Sequence, residues 1–175
     1  MRTHPRLILA LLLAPAACAG PVETRINAAG AGVAPQQALM WAPLPAGASA
    51  EVEQARTALA SALQTQGYRI VDDAPLALSL GVSERPARIG LTMGQGAALS
   101  PAKEDRPLQS CDDRMLRLRV SIVDPVSGET RYSGAAEEAH CHATLTEALP
   151  RLARLAVADM ASPAGTRLVQ SAGRD

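Results

Sequence analysis

The chain has 175 residues, balances 17 Lys+Arg against 17 Asp+Glu, and contains no phenylalanine. A net charge of zero leaves no global field to draw in nucleic acid, and the length points to one domain with appendages. Trp41, Tyr68 and Tyr132 are the only aromatics, so the core is built from Leu, Val, Ile and Ala, which bury less area per side chain.

The N-terminus, MRTHPRLILALLLAPAACAG, has the order of a secretory leader. Arg2 and Arg6 form a basic start, Leu7 to Ala14 an apolar run, and Pro15 to Gly20 a small-residue patch. The apolar run is far short of the roughly 20 residues that span a bilayer. Residues 1–17 are therefore expected to be a signal peptide. Two cleavage chemistries fit. Ala16-Ala17-Cys18 resembles a lipobox, in which Cys18 is the lipidated residue, although Pro15 stands where Leu is usual. Ordinary signal peptidase could instead use Ala14-Pro15-Ala16 or Ala17-Cys18-Ala19. The cysteine count favours the first: with Cys18 acylated or removed, Cys111 and Cys141 remain as an even pair. The resemblance to lipoproteins implies, with Ala19 and not Asp after the cysteine, sorting to the outer membrane.

Residues 18–36 are Gly/Ala/Pro-rich and read as a flexible tether, with the alternation of Val22, Thr24 and Ile26 marking a short strand inside it. The domain proper is expected over 37–161. QALMWA (37–42) is a first strand with Trp41 facing the core. Ser49 caps a helix whose apolar face is Val52, Ala55, Leu59, Ala62 and Leu63, and Gly67 stops it. YRIV (68–71) and LALSLGVSE (76–84) follow as strands. Residues 85–110, with three prolines, three glycines and the KEDR run, read as a long loop or partly disordered excursion. RMLRLRVSIVD (114–124) alternates strictly, PVSG (125–128) turns, and ETRYSGAAEEA (129–139) returns as the second arm of a β-hairpin. A last helix runs from about Leu145 to Met160, with Thr144 and Glu147 at capping-box spacing and Pro150 near its start. Residues 162–175 read as a polar, frayed tail. The fold class is α+β: one mostly antiparallel sheet of about four strands with two helices packed on one face.

EEAHCHATL (137–145) sets Cys141 between His140 and His142. Pairing Asp124 with Gly128 across the turn places Val120 opposite Tyr132, Ile122 opposite Thr130, and Cys111 opposite Cys141. The alternation and the cysteines thus agree on one register. An exported chain then favours a Cys111–Cys141 disulfide, worth about 3–4 kcal/mol for a loop of this length. The alternatives are a metal site using His140 and His142, and a Cys–His nucleophile. In a strand, however, Cys141 points away from both histidines. Arg117, Arg119 and Arg131 share the polar face of the hairpin and form a candidate anion patch, set against the plainer reading of a solvated sheet face. No G-x-S-x-G, Walker or H-E-x-x-H pattern occurs, and no cofactor or enzymatic activity is expected.

Gly67-Tyr68 after a helix, the acidic turn Asp72-Asp73, and Asp124 before Ser127-Gly128 lead to the short strand Tyr132-Ser133-Gly134-Ala135-Ala136. In this order they resemble the bacterial envelope lipoproteins known as domain of unknown function 4136. That resemblance spans roughly 37–161 and implies an α+β sheet with two helices and no known activity. The expectation is a non-enzymatic module tethered on the periplasmic face of the cell envelope by an N-terminal lipid. Its partner would be an envelope protein, lipid or polymer and not nucleic acid. A soluble periplasmic ligand- or metal-binding protein is the alternative.

Overall fold

The structure, a computed structural model, describes residues 21–94, 97–104 and 111–171, so the leader and Cys18 lie outside the described residues. In chain order the elements are β1 (Val22–Ala29), β2 (Ala38–Trp41), α1 (Ala50–Thr65), β3 (Arg69–Ile70), β4 (Leu76–Pro86), β5 (Leu91–Met93), β6 (Ala97–Ser100), β7 (Arg114–Val123), β8 (Thr130–His140), α2 (Leu145–Ala156) and β9 (Gly165–Ser171).

The β7–β8 hairpin organises the rest. Leu116, Leu118, Val120 and Ile122 of β7 are fully buried, as strict alternation requires of a strand with one face on the core. The pairing differs from the expected one by two residues: Ile122 opposes Tyr132, Leu118 opposes Ala136 and Arg117 opposes Glu137. The turn is the cause. The Asp124 carboxylate accepts from the backbone N–H of Val126 and Ser127 (2.9 and 3.2 Å), and Asp124 N–H bonds Glu129 O at 2.9 Å. A bulge between Ile122 and Val123 completes the offset. Because the displacement is two, no side chain changes face.

The class is α+β, but the expected sheet of about four mostly antiparallel strands is corrected to seven mixed strands, in the order β3-β2-β4-β7-β8-β1-β9, beside a separate β5-β6 hairpin. The contacts of β2 with β3 and β4 are parallel and the others in the large sheet antiparallel. Two of the added strands come from segments expected to be a tether and a tail. β1 inserts between β8 and β9, burying Val22, Thr24, Ile26 and Ala28 on the core side. β9 closes that edge and is fastened by Arg167, which donates from Nε and Nη2 to both carboxylate oxygens of Asp159 at 3.0 Å. Within 85–110, β4 runs on to Pro86 and β5 pairs with β6, so part of that stretch is ordered strand and not loop.

Both helices contribute to the core on the Leu116–Ile122 side of the sheet. α1 adds Ala55, Leu59, Ala62 and Leu63, and α2 adds Leu145, Leu149, Leu152 and Ala156. The Thr144–Glu147 capping box forms in both directions, and Pro150 lies inside α2. Gly67 ends α1 at φ +85°, in the left-handed region that favours glycine. Trp41 is not a core centre: Leu39 fills that role, while Trp41 packs at the rim beneath the Arg56 guanidinium, 4.6 Å from the ring centroid.

The Tyr132-x-Gly134 pattern has a steric cause. Two residues apart on a strand, both face the helices. The Tyr132 ring lies across Gly134 and its hydroxyl donates to Ala156 O at 2.7 Å, at the end of α2. A Cβ on Gly134 would collide with Ala156 O and the tyrosine hydroxyl. Burial, the first cause, and the Asp159 carboxylate, the second, push the Tyr132 phenol far above its ordinary range, so it stays a donor.

Candidate functional site

The sheet face away from the helices carries the polar residues. Opposed pairs across it are Ser83 with Arg117, Arg117 with Glu137, Arg119 with Ala135, Ser121 with Ser133, and Arg25 with Glu137. Glu137 therefore sits between two arginines. Its side chain is 2% exposed, with Arg25 Nε 3.6 Å from one oxygen and Arg117 Nη1 3.7 Å from the other. These are ion-pair separations beyond hydrogen-bond reach, and among the described residues neither Glu137 oxygen has a hydrogen-bond donor. Desolvation lowers the Arg117 pKa from its usual value and Glu137 partly restores it, while Arg119 and Arg85 add to the lowering.

That geometry revises the anion patch. Arg117 is largely covered and committed to Glu137; Arg119 is exposed and approaches Ser133 Oγ at 3.5 Å; Arg131 lies at the turn and pairs with Glu129 at 3.4 Å. The three share a face without converging. The two-residue offset is responsible, since it sets Arg117 opposite a carboxylate where the expected register had an alanine.

Glu137 and Glu138, adjacent in sequence, face opposite sides of β8. Glu138 points to the helix side, where Thr24 Oγ1 donates to it at 3.0 Å and Arg151 of α2 approaches at 3.5 Å; Arg151 also donates to Thr24 Oγ1 at 2.7 Å. His140 lies on the same side, its Nε2 3.7 Å from Glu138. This buried polar group joins β1, β8 and α2.

At the mouth of the hairpin, Cys111 and Cys141 stand at disulfide distance with Cα atoms 5.7 Å apart. They lie outside the ladder, since β7 begins at Arg114 and β8 ends at His140. His142 Nε2 is 3.6 Å from Cys111 Sγ, and the donor atoms of Cys111, Cys141 and His142 fall within 4.8 Å of one another. The two histidines expected as alternative ligands are separated: His140 turns into the buried group and His142 meets the cysteines. The strand ends at His140, so the alternation that would have aligned them stops there.

A cavity of about 340 Å³ opens beside Glu137, where the segment after β6 passes over the outer face of β1 and β8. Arg25, Lys103, Met115, Glu137 and Ala139 line it. Lys103 N–H bonds Ala87 O at 2.9 Å and its ammonium pairs with Asp113, which fixes that segment in place. Sequence reading missed this site because Glu137 carried no signal beyond being one of two adjacent acids.

No family model and no curated protein matches the chain. Among solved structures it is similar to a PDZ domain protein from Parabacteroides distasonis, at 9% identity and TM-score 0.54, covering 86% of this chain and 39% of that one. It is also similar to the PelC dodecamer of Paraburkholderia phytofirmans, at 13% identity and TM-score 0.50, covering 78% and 98%. A minor lipoprotein from Acinetobacter baumannii aligns at 20% identity over 71% of this chain, with a TM-score of 0.31. At these identities the first two likenesses establish a shared fold, in each case over more than three quarters of this chain.

Proposed function

We propose that the chain is a non-enzymatic binding module of the bacterial cell envelope, anchored by lipid on Cys18 and held at the periplasmic face of the outer membrane. The observation that carries this reading is the leader ending in Ala16-Ala17-Cys18. The Cys111–Cys141 pair, at disulfide distance, supports an oxidising compartment. Among the described residues no helix is long and apolar enough to cross a membrane.

The structure changes what such an anchor does. The large sheet begins at Val22, so three residues separate Cys18 from β1, a reach of about 10 Å fully extended. On this reading the lipid holds the domain close to the bilayer surface. Labelling cells with a clickable palmitate analogue tests the anchor. The expected result is label on the wild-type chain, lost in Cys18→Ala, with the unlabelled variant released into the soluble periplasmic fraction. Label that persists in Cys18→Ala, or its absence from the wild type, would refute the anchor.

A further inference from the structure

We infer that Cys111, Cys141 and His142 form a zinc site in the reduced protein, so that the same two sulfurs serve either as a disulfide or as two ligands of one ion. The inference goes beyond the binding-module reading and does not depend on the lipid anchor.

The sulfurs of Cys111 and Cys141 and a ring nitrogen of His142 all lie within 4.8 Å of one another, and His142 Nε2 is 3.6 Å from Cys111 Sγ. A tetrahedral zinc, with Zn–S about 2.3 Å and Zn–N about 2.0–2.1 Å, holds a sulfur and a nitrogen about 3.6 Å apart and two sulfurs about 3.8 Å apart. The nitrogen–sulfur pair therefore already stands at ligand spacing. Only the two sulfurs must part, from a disulfide's length of about 2.0 Å. Side-chain rotation supplies that movement while the Cα atoms stay 5.7 Å apart.

The backbone presents these groups together. β8 ends at His140, so strand alternation no longer sends Cys141 and His142 to opposite sides. The chain bends through both before Thr144 caps α2. Arg114 Nη2 donates to Ala143 O at 3.3 Å and holds that bend. The segment carrying Cys111 is held through Asp113: Ala87 N–H donates to Asp113 O at 2.9 Å, and the Asp113 carboxylate pairs with Lys103. Ligands on two pinned segments cost less to order around an ion than ligands on free chain. His140 takes no part, because it turns to Glu138. Both cysteines are half-buried and His142 is exposed, so an ion reaches the site from solvent and water completes its fourth position. Two thiolates and an imidazole are a soft donor set that suits zinc and not magnesium or calcium. A protein dithiol gives two electrons and two protons to the Cys111–Cys141 bond and leaves as its own disulfide. Zinc then displaces both thiol protons and stays divalent.

The test uses the untagged full chain carrying Cys18→Ala, in which Cys111 and Cys141 are the only thiols. Protein reduced with tris(2-carboxyethyl)phosphine under nitrogen is titrated with zinc against a chromophoric chelator, and with cobalt as a coloured substitute. The expected result is one zinc per reduced chain, thiolate-to-cobalt charge-transfer absorption, and no zinc on the oxidised chain. His142→Ala keeps both sulfurs and alters an exposed side chain. Removing even an outer-shell partner of a metal costs about 10–100-fold in affinity, so losing this ligand should weaken zinc at least roughly tenfold. Should the reduced chain unfold, zinc that restores its native circular dichroism supports the site, and zinc that does not overturns it. A reduced chain that takes up no zinc, an oxidised chain that binds it equally, or unchanged affinity in His142→Ala would each overturn the site. Palmitate labelling of the wild type is untouched by any of these outcomes, so the anchor and the zinc site stand or fall separately.

Discussion

Substituting Gly134 by alanine should be among the most damaging single-methyl changes in the protein. A Cβ built there overlaps Ala156 O and the Tyr132 hydroxyl and lies 2.6 Å from Tyr132 Cε1. Two of these atoms belong to one hydrogen bond, Tyr132 Oη to Ala156 O at 2.7 Å, and neither partner is free to move. Tyr132 is fully buried, and Ala156 ends the helix whose Leu149 and Leu152 fill the core. Relief requires either that the ring leave its rotamer or that the end of α2 lift from β8. Overpacking costs about 1–3 kcal/mol, and losing the buried hydrogen bond adds about 1–2 kcal/mol, for a total of about 2–5 kcal/mol. Urea denaturation of wild type and Gly134→Ala, followed by far-UV circular dichroism, measures the difference. Tyr132→Phe isolates the hydrogen-bond part and should lose about 1–2 kcal/mol. A Gly134→Ala protein within 1 kcal/mol of wild type would refute the steric account of the Tyr-x-Gly pattern.

Three other outcomes follow from the same geometry. Replacing Cys111 and Cys141 together by serine opens a loop with a sequence separation of 30, which should cost about 3–4 kcal/mol and lower the melting temperature by roughly 6–16 °C. Wild type treated with reductant should melt with the double variant, and a coincident melt of oxidised wild type would contradict the bond. Arg151→Ala removes the cation facing Glu138, which is 1% exposed; because Arg151 itself is 24% exposed to solvent, the loss should be about 2–3 kcal/mol, read by urea denaturation at pH 7. Glu147 has its pKa lowered below 4.5 by the Thr144 backbone N–H first and the Thr144 hydroxyl second. Its contribution is therefore present above pH 4.5 and is lost as pH falls through the depressed folded value. Glu147→Gln should be less stable than wild type at pH 6, with the gap closing at lower pH; a gap independent of pH would refute the assignment.

The sequence alone determined the elements whose own residues contrast strongly. Leu116, Leu118, Val120 and Ile122 alternate with arginine and serine, so both the strand and its buried face were readable. Thr144 with Glu147 marked a helix start that the structure reproduces, and Gly67 marked a helix end. The proximity of Cys111 and Cys141 was legible because both stand at the open end of one hairpin; the two meet just beyond the ladder, so the displaced register beneath them does not set their pairing.

Tertiary structure alone decided what depends on a neighbour. β9 exposes most of its residues and shows no contrast along the chain; it is a strand because β1 offers an open edge and Asp159 holds Arg167. β1 was marked by the Val22, Thr24 and Ile26 alternation as a short strand within a tether, but its length and its place between β8 and β9 came only with those backbone partners. The site shows the same division. Glu137 and Glu138 are indistinguishable as sequence, yet the pleat sends one between two arginines beside a cavity and the other to Thr24 and Arg151 under a helix. Which strands flank β8 fixes those partners, and strand order is a property of the assembled sheet that no local pattern encodes.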